Sequence, residues 1–180
     1  ALAEGDRRGT RETTITETTT GLRVGTSVQR VLQVIKEHAI LDQKAVAKCF
    51  TDQVFELDAA GQAAILRALF TTDGTVANYG SKSQYISLDS CSIDLLRQVQ
   101  LLLLGFGIKA KIYEGRRVLG QDSAILPDGK GGTKKYEVQQ MHSLRISRSS
   151  RGVFQEHIGF LPESPKAGQL AELNTQIATH

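Results

Sequence analysis

The chain has 180 residues, a hydrophobic fraction of 40% and a formal net charge of +3, values that suit one main globular domain. No run approaches the roughly 18 uncharged apolar residues of a membrane span, and the start lacks the basic-then-apolar order of a signal peptide; a soluble, intracellular protein of the cytoplasm or nucleoid is expected. Cys49 and Cys91 stand alone, which excludes a disulfide framework and the paired spacing of a zinc site.

Residues 1–21 are rich in Thr, Arg and Glu and poor in large apolar groups, so they bury too little to offset their ordering entropy and read as a mobile arm. Residues 22–57 read as an accessory helical segment. There Ser27 would cap a helix carrying Val28, Val31, Leu32 and Ile35, a short helix would cover Gln43 to Phe50, and Val54 to Leu57 would be extended. A single domain is expected over 58–180. Asp58 is the N-cap of its first helix, which stops at Asp73-Gly74. Within that helix Ala60, Ala64, Ala68 and Thr72 recur every four residues and share a face with almost no side-chain bulk. Two such helices can pack backbone to backbone, and Asp73 would then meet its counterpart near the end of the seam. Paired carboxylates there suit divalent metal ions, whereas the plainer reading is an amphipathic helix stopped by a C-cap glycine.

After Gly74 the period changes from helical to alternating. Thr75 to Tyr79 and Gln84 to Leu88 are β-prone and flank Gly80-Ser81-Lys82-Ser83, which predicts a hairpin. Ser92 to Leu104 is a mostly buried helix stopped by Gly105-Phe106-Gly107. Ile108 to Glu114 is a strand with Lys109 and Lys111 on one face and Ile108, Ala110 and Ile112 facing the core. Gly115 to Thr133 is long for a loop and reads as functional or disordered. Lys135 to Ser147 resumes as a strand, Ser149 or Ser150 opens a helix closed at Gly159, and Ser164-Pro165 begins a last helix to about Ile177. The order predicts an α+β domain with one four-stranded antiparallel or mixed sheet. Ten Lys or Arg residues against four acids lie between Lys109 and Arg151, a basic run that reads most simply as a solvated face and also fits a surface meeting nucleic-acid phosphates.

These pieces resemble the LAGLIDADG homing endonucleases, particularly the endonuclease domains found within inteins. Residues 66–74, Leu-Arg-Ala-Leu-Phe-Thr-Thr-Asp-Gly, fill the family motif, with Thr71 at its first acidic place and Asp73 at its second. Tyr85 to Leu88, Leu95 to Ile108 and Leu144 to Ser147 leading into Phe154 to Phe160 are similar to the strands and helices that follow. The resemblance implies an αββαββα-like saddle whose sheet covers the major groove of double-stranded DNA. With one motif visible it implies a homodimer, joined along Ala60, Ala64, Ala68 and Thr72, in which each Asp73 binds Mg²⁺ or Mn²⁺ with help from the peptide carbonyls of Thr72 and Gly74.

The family's basic catalytic residue, usually a Lys, falls near Arg145, Ser147 and Arg148. No Lys stands there, so Arg145 or Arg148 would substitute, or Lys109 or Lys111 would reach across. Tyr79, Ser81, Lys82, Gln84, Gln139 and Gln140 are the base-reading candidates, and Arg116, Arg117, Lys130, Lys134 and Lys135 the phosphate-positioning ones. Ser87, Asp89, His142 and Arg145 join the DNA-facing set. A non-cleaving DNA-binding protein on the same fold and an RNA-splicing maturase are the alternative functions. The chain begins Ala1-Leu2-Ala3 and ends Ala178-Thr179-His180 without the His-Asn pair used in splicing, so a free-standing or excised endonuclease domain is expected rather than a self-splicing protein.

Overall fold

In chain order the elements are β1 (Thr13–Thr18), β2 (Gly21–Thr26), α1 (Gln29–His38), α2 (Gln53–Glu56), α3 (Ala59–Asp73), β3 (Gly74–Asn78) and β4 (Gln84–Ser90). They continue with α4 (Ile93–Gly105), β5 (Ala110–Tyr113), β6 (Ser123–Pro127), β7 (Thr133–Glu137), β8 (His142–Ile146), α5 (Arg151–His157) and α6 (Pro165–Thr175). Single 3₁₀ turns cover Ala45–Ala47 and Arg148–Ser150. This computed structural model describes residues 13–18, 21–40, 43–80, 83–116, 123–127, 132–137 and 139–175. The architecture is α+β, built on a four-stranded antiparallel sheet ordered β3-β4-β8-β5.

The expected strand from Lys135 to Ser147 is split in two. Its first part, β7, pairs with β6 in a ribbon of its own, while β8 inserts between β4 and β5. β6 lies inside the stretch expected as a loop. Further upstream, residues 1–12 and 19–20 of the expected arm lie outside the described residues, whereas 13–18 pair with 21–26 as a hairpin. The helix expected over 43–50 is reduced to one 3₁₀ turn. Val54 to Leu57, expected to be extended, is instead a single helical turn that drops Val54 into the core. Tertiary packing has overridden β-propensity there.

Helices α3 and α4 cover the apolar face of the sheet. The buried stripe of α3 is Ala63, Leu66 and Phe70, and that of α4 is Leu96, Val99, Leu102 and Leu103. They meet Ile86 and Leu88 from β4 and Leu144 and Ile146 from β8. Phe154 of α5 closes the layer, packing edge-on to Phe70 at 5.0 Å and to Phe160 at 5.6 Å between ring centroids. The Asp58 cap read from the sequence is made, its Oδ1 accepting from Gly61 N at 2.7 Å. Ser27, read as the cap of α1, instead precedes the N-cap Val28, and Ser92, read as part of α4, caps it with Oγ accepting from Leu95 N at 3.2 Å.

Gly74 ends α3 in a different way from a left-handed C-cap. Its φ of −76° and ψ of 161° are those of an extended residue, so α3 passes into β3 with no intervening loop. Glycine is required there by proximity: a Cβ would lie 2.5 Å from the carbonyl oxygen of Phe70. Left-handed glycines do occur at the ends of α4 and α5, where Gly107 has φ +72° and Gly159 φ +63°.

Candidate nucleic-acid interface

Alternation along four antiparallel strands turns one face of the sheet to the core and the other outward. The pairings Thr75–Ser87, Ser87–Arg145 and Arg145–Lys111 put those four residues in one row on the outward face. Asp89, Ser143 and Tyr113 form the next row, and Ala77 with Tyr85 lies on the other side. This face is polar, aromatic and basic, although Ser87 and Ser143 are themselves buried as its floor.

Arg145 dominates the middle of the face. Its guanidinium carbon lies 4.2 Å from the centroid of the Tyr85 ring and 5.1 Å from that of Tyr113. Lys111 Nζ stands 5.1 Å from the Tyr113 centroid, and the Arg116 guanidinium stands 5.9 Å from it. A cation over an aromatic face is attracted by the ring quadrupole, so the two tyrosines organise the positive charge of the sheet. Ser147 and Arg148 extend the same groove, which has a volume of about 440 Å³, beyond the end of β8.

The other candidates fall in varied places. Tyr79 projects at the end of β3 with 74% of its surface exposed. Gln84 spends its amide on Asn78, donating to Oδ1 at 3.0 Å. Lys109 is exposed, and its backbone N–H donates to Ser150 Oγ at 3.1 Å. Lys134 and Lys135 belong to β7, hence to the separate ribbon, and Gln140 is exposed just before β8. His142 shares its parity along β8 with core-facing Leu144 and Ile146, and its Nδ1 accepts from Gly115 N at 3.3 Å. Ser81, Lys82, Arg117 and Lys130 lie outside the described residues.

At the end of α3, Asp73 is exposed, as are Ala60, Ala64, Ala68 and Thr72. The small-residue ladder therefore runs along the outside of the helix, opposite the Ala63, Leu66, Phe70 stripe. Thr71, in contrast, is a staple: its hydroxyl donates to Arg67 O at 2.7 Å and accepts from Leu161 N at 3.0 Å. Arg67 Nε adds a bond to Ile158 O at 2.6 Å, so the segment between α5 and α6 is stitched to α3.

That stitching delivers a cation that the sequence analysis did not assign. Lys166, in the first turn of α6, donates from Nζ to the carbonyl oxygens of Thr71 at 2.7 Å and Thr72 at 3.2 Å. Burial pulls its pKa below the ordinary lysine value, and the negative charge of Asp73 opposes that fall. Of the four helper candidates, Arg145 and Lys111 lie on the sheet, whereas Lys109 precedes β5 and Arg148 opens the 3₁₀ turn after β8. Arg145 is two strands from Thr75, roughly 10 Å across the ladder, and Lys111 is one strand more. Arg151, also unassigned from the sequence, is fully buried at the start of α5, and its guanidinium nitrogens have no partner among the described residues. Burial first, and Arg148 second, lower its pKa.

As a donor set for a metal, the corner at Asp73 holds only oxygen, the ligand type of a hard cation. One chain supplies one carboxylate there, and no group of three or more His, Cys, Asp or Glu side chains gathers among the described residues. One carboxylate and a Thr72 carbonyl already engaged by Lys166 Nζ do not by themselves complete such a site. Cys49 and Cys91 are free, half-buried thiols, and no described helix is long and apolar enough to cross a membrane.

A family profile described as a LAGLIDADG-like domain matches residues 60–159. Over 103 residues the chain is 41% identical to the ribonucleoside-diphosphate reductase NrdEB subunit alpha of Bacillus subtilis (strain 168), a stretch that covers 56% of this chain and 9% of that protein. Over 84 residues it is 33% identical to the ribonucleoside-diphosphate reductase large subunit of Invertebrate iridescent virus 6, covering 47% of this chain and 8% of that protein. The matched stretch thus spans less than a tenth of the length of these relatives. No solved structure shows significant similarity to the chain.

Proposed function

The chain belongs to the LAGLIDADG-like domain family, and we propose that it is a site-specific endonuclease for double-stranded DNA that works as a homodimer. The observation that carries this reading is the joint placement of Asp73 at the end of an exposed small-residue helix face and of a basic, aromatic sheet face beginning at the next residue. Packing α3 of one copy on α3 of another along Ala60, Ala64, Ala68 and Thr72 covers that helix face and brings two Asp73 carboxylates together.

In this reading the Asp73 carboxylates, with the Thr72 and Gly74 carbonyls, hold Mg²⁺ or Mn²⁺. When bound, the ion supplies water activation and stabilisation of the leaving 3′ oxygen in phosphodiester hydrolysis. The protein's own residues do the rest. Lys109, Lys111, Arg116 and Arg148 draw the phosphate backbone onto the sheet, and Tyr79, Tyr85 and Arg145 face the major groove. The small share of each reductase covered by the match supports a module carried within a larger polypeptide, such as an intein endonuclease domain, rather than the reductase machinery.

Lys166 favours one second reading. Its ammonium already occupies the Thr72 carbonyl and no lysine lies between Leu144 and Arg148, where the family's basic residue is expected, an arrangement that suits a DNA-binding protein that does not cut. Duplex DNA spanning the intact insertion site, incubated with Mg²⁺, separates the two. The endonuclease reading expects Mg²⁺-dependent cutting that Asp73→Asn abolishes while binding persists. Cutting retained by Asp73→Asn overturns the active-site assignment, and specific binding without cutting selects the second reading.

A further inference from the structure

Among the described residues, Arg145 is the basic side chain of the outward sheet face that is bracketed by two aromatic rings. It sits on β8, and the rings come from both neighbouring strands, Tyr85 from β4 and Tyr113 from β5. Arg145 pairs with Ser87 and with Lys111, so each tyrosine is a diagonal neighbour two residues along its strand, in opposite directions. The guanidinium is flanked by a ring from each of the two adjacent rows. Its Nε is buried and has no hydrogen-bond partner among the described residues, while the residue as a whole is only half-buried. The end that solvent reaches is therefore the Nη pair.

We propose that Arg145 is the guanine-reading residue of the sheet, and that Tyr85 and Tyr113 are positioning residues that hold its fork edge-on to the major groove. This rests on the DNA-binding reading above. An exposed arginine carries substantial rotamer entropy that binding must remove, and a side chain already fixed between two rings has lost most of it before DNA arrives. Two parallel N–H donors match the O6 and N7 acceptors of guanine, and no other base edge in the major groove offers that pair. Lys109 and Lys111 are compact point charges that cannot make the fork. Among the described rings Arg116 approaches that of Tyr113, at 5.9 Å, and the described contacts of Arg148 include no ring. In a homodimer the same residue from each copy reads one guanine per half-site, which makes the two guanines symmetry-related.

The test is selection of bound duplexes from a pool with a randomised core, with EDTA present so that nothing is cut, followed by binding titrations at several salt concentrations. Wild-type protein is expected to enrich one guanine in each half-site. Arg145→Lys keeps the charge and removes the fork, so the guanine preference should fall by roughly 5- to 150-fold with the salt slope unchanged. Tyr85→Leu and Tyr113→Leu should each weaken the preference, and Tyr85→Phe, which keeps the ring, should retain it. Circular dichroism of each variant establishes that it is folded. A guanine preference that survives Arg145→Lys overturns the assignment. So does a uniform loss of affinity across all sequences on Arg145→Lys, which marks a phosphate contact. If wild-type protein retains no duplex at all, this proposal and the DNA-binding reading beneath it both fall.

Discussion

Replacing Gly74 with alanine tests the junction on which the Asp73 corner depends. The added methyl would lie 2.5 Å from the Phe70 carbonyl oxygen and 3.0 Å from Phe70 Cδ1, both inside contact distance. Neither neighbour can retreat easily. The Phe70 carbonyl accepts the Gly74 N–H, and the Phe70 ring is fully buried against Phe154. Overpacking of this kind costs about 1–3 kcal/mol. Loosening the hydrogen bond adds about 1 kcal/mol, and reduced freedom of the unfolded chain returns about 0.4–1 kcal/mol. The net expectation is a loss of about 2 kcal/mol. For a chain of this size that lowers Tm by about 4–8 °C, readable by calorimetry or thermal circular dichroism. Gly168→Ala is the control: Gly168 lies within α6, and nothing stands within 4 Å of its added Cβ. That substitution should stabilise by up to about 1 kcal/mol. If Gly74→Ala leaves Tm unchanged or raises it as Gly168→Ala does, the steric account of the junction is refuted.

Lys166→Met removes two charge-assisted bonds and a cation from the C-terminal end of α3, and should cost about 1 kcal/mol in urea denaturation at neutral pH. Because burial holds the Lys166 pKa below the ordinary value, the unfolded chain keeps a proton that the folded one has released between those two values. Stability should therefore gain from this group as pH rises through that window, a gain absent in Lys166→Met. Asp73→Asn removes the charge that opposes the fall, so an NMR titration of Lys166 Nζ should give a still lower pKa; an unchanged one separates the two residues electrostatically. Ser92→Ala should cost about 1–2 kcal/mol by the same denaturation assay, since the buried Ser92 hydroxyl both caps α4 and donates to Lys48 O at 2.6 Å.

Much of the fold is local in origin and was legible for that reason. Asp58 reads as a cap because a cap is a contact between residues three apart. Lys109 and Lys111 read as outward because alternation needs no knowledge of the partner strand. The failures share the opposite property. The strand expected over Lys135 to Ser147 split because pairing with β6, not propensity, decides where β7 ends. Tyr85, Arg145 and Tyr113 each alternate outward in sequence, but their meeting depends on β8 lying between β4 and β5, an order that no local pattern specifies. Lys166 lies more than ninety residues from the carbonyls it bonds, and nothing about a lysine after Ser164-Pro165 announces where it will dock.

The Asp-Gly step shows how these two kinds of information combine. Its sequence reads most simply as a helix stop, which needs only the glycine, and more sharply as half of a metal site, which needs the carboxylate. The structure replaces the stop with a direct entry into β3. A left-handed cap would turn the chain away through a loop and let the carboxylate wander with it. Here Asp73 is bounded on one side by a strand of the central sheet and on the other by the bonds of Lys166 and Thr71 to α3 and the α6 approach. Backbone fixed in this way holds the exposed Asp73 at one place at the end of α3, where the proposed second copy would meet it. The missing side chain of Gly74 is what allows it, because any larger residue would have to push β3 away from Phe70 and carry the corner with it.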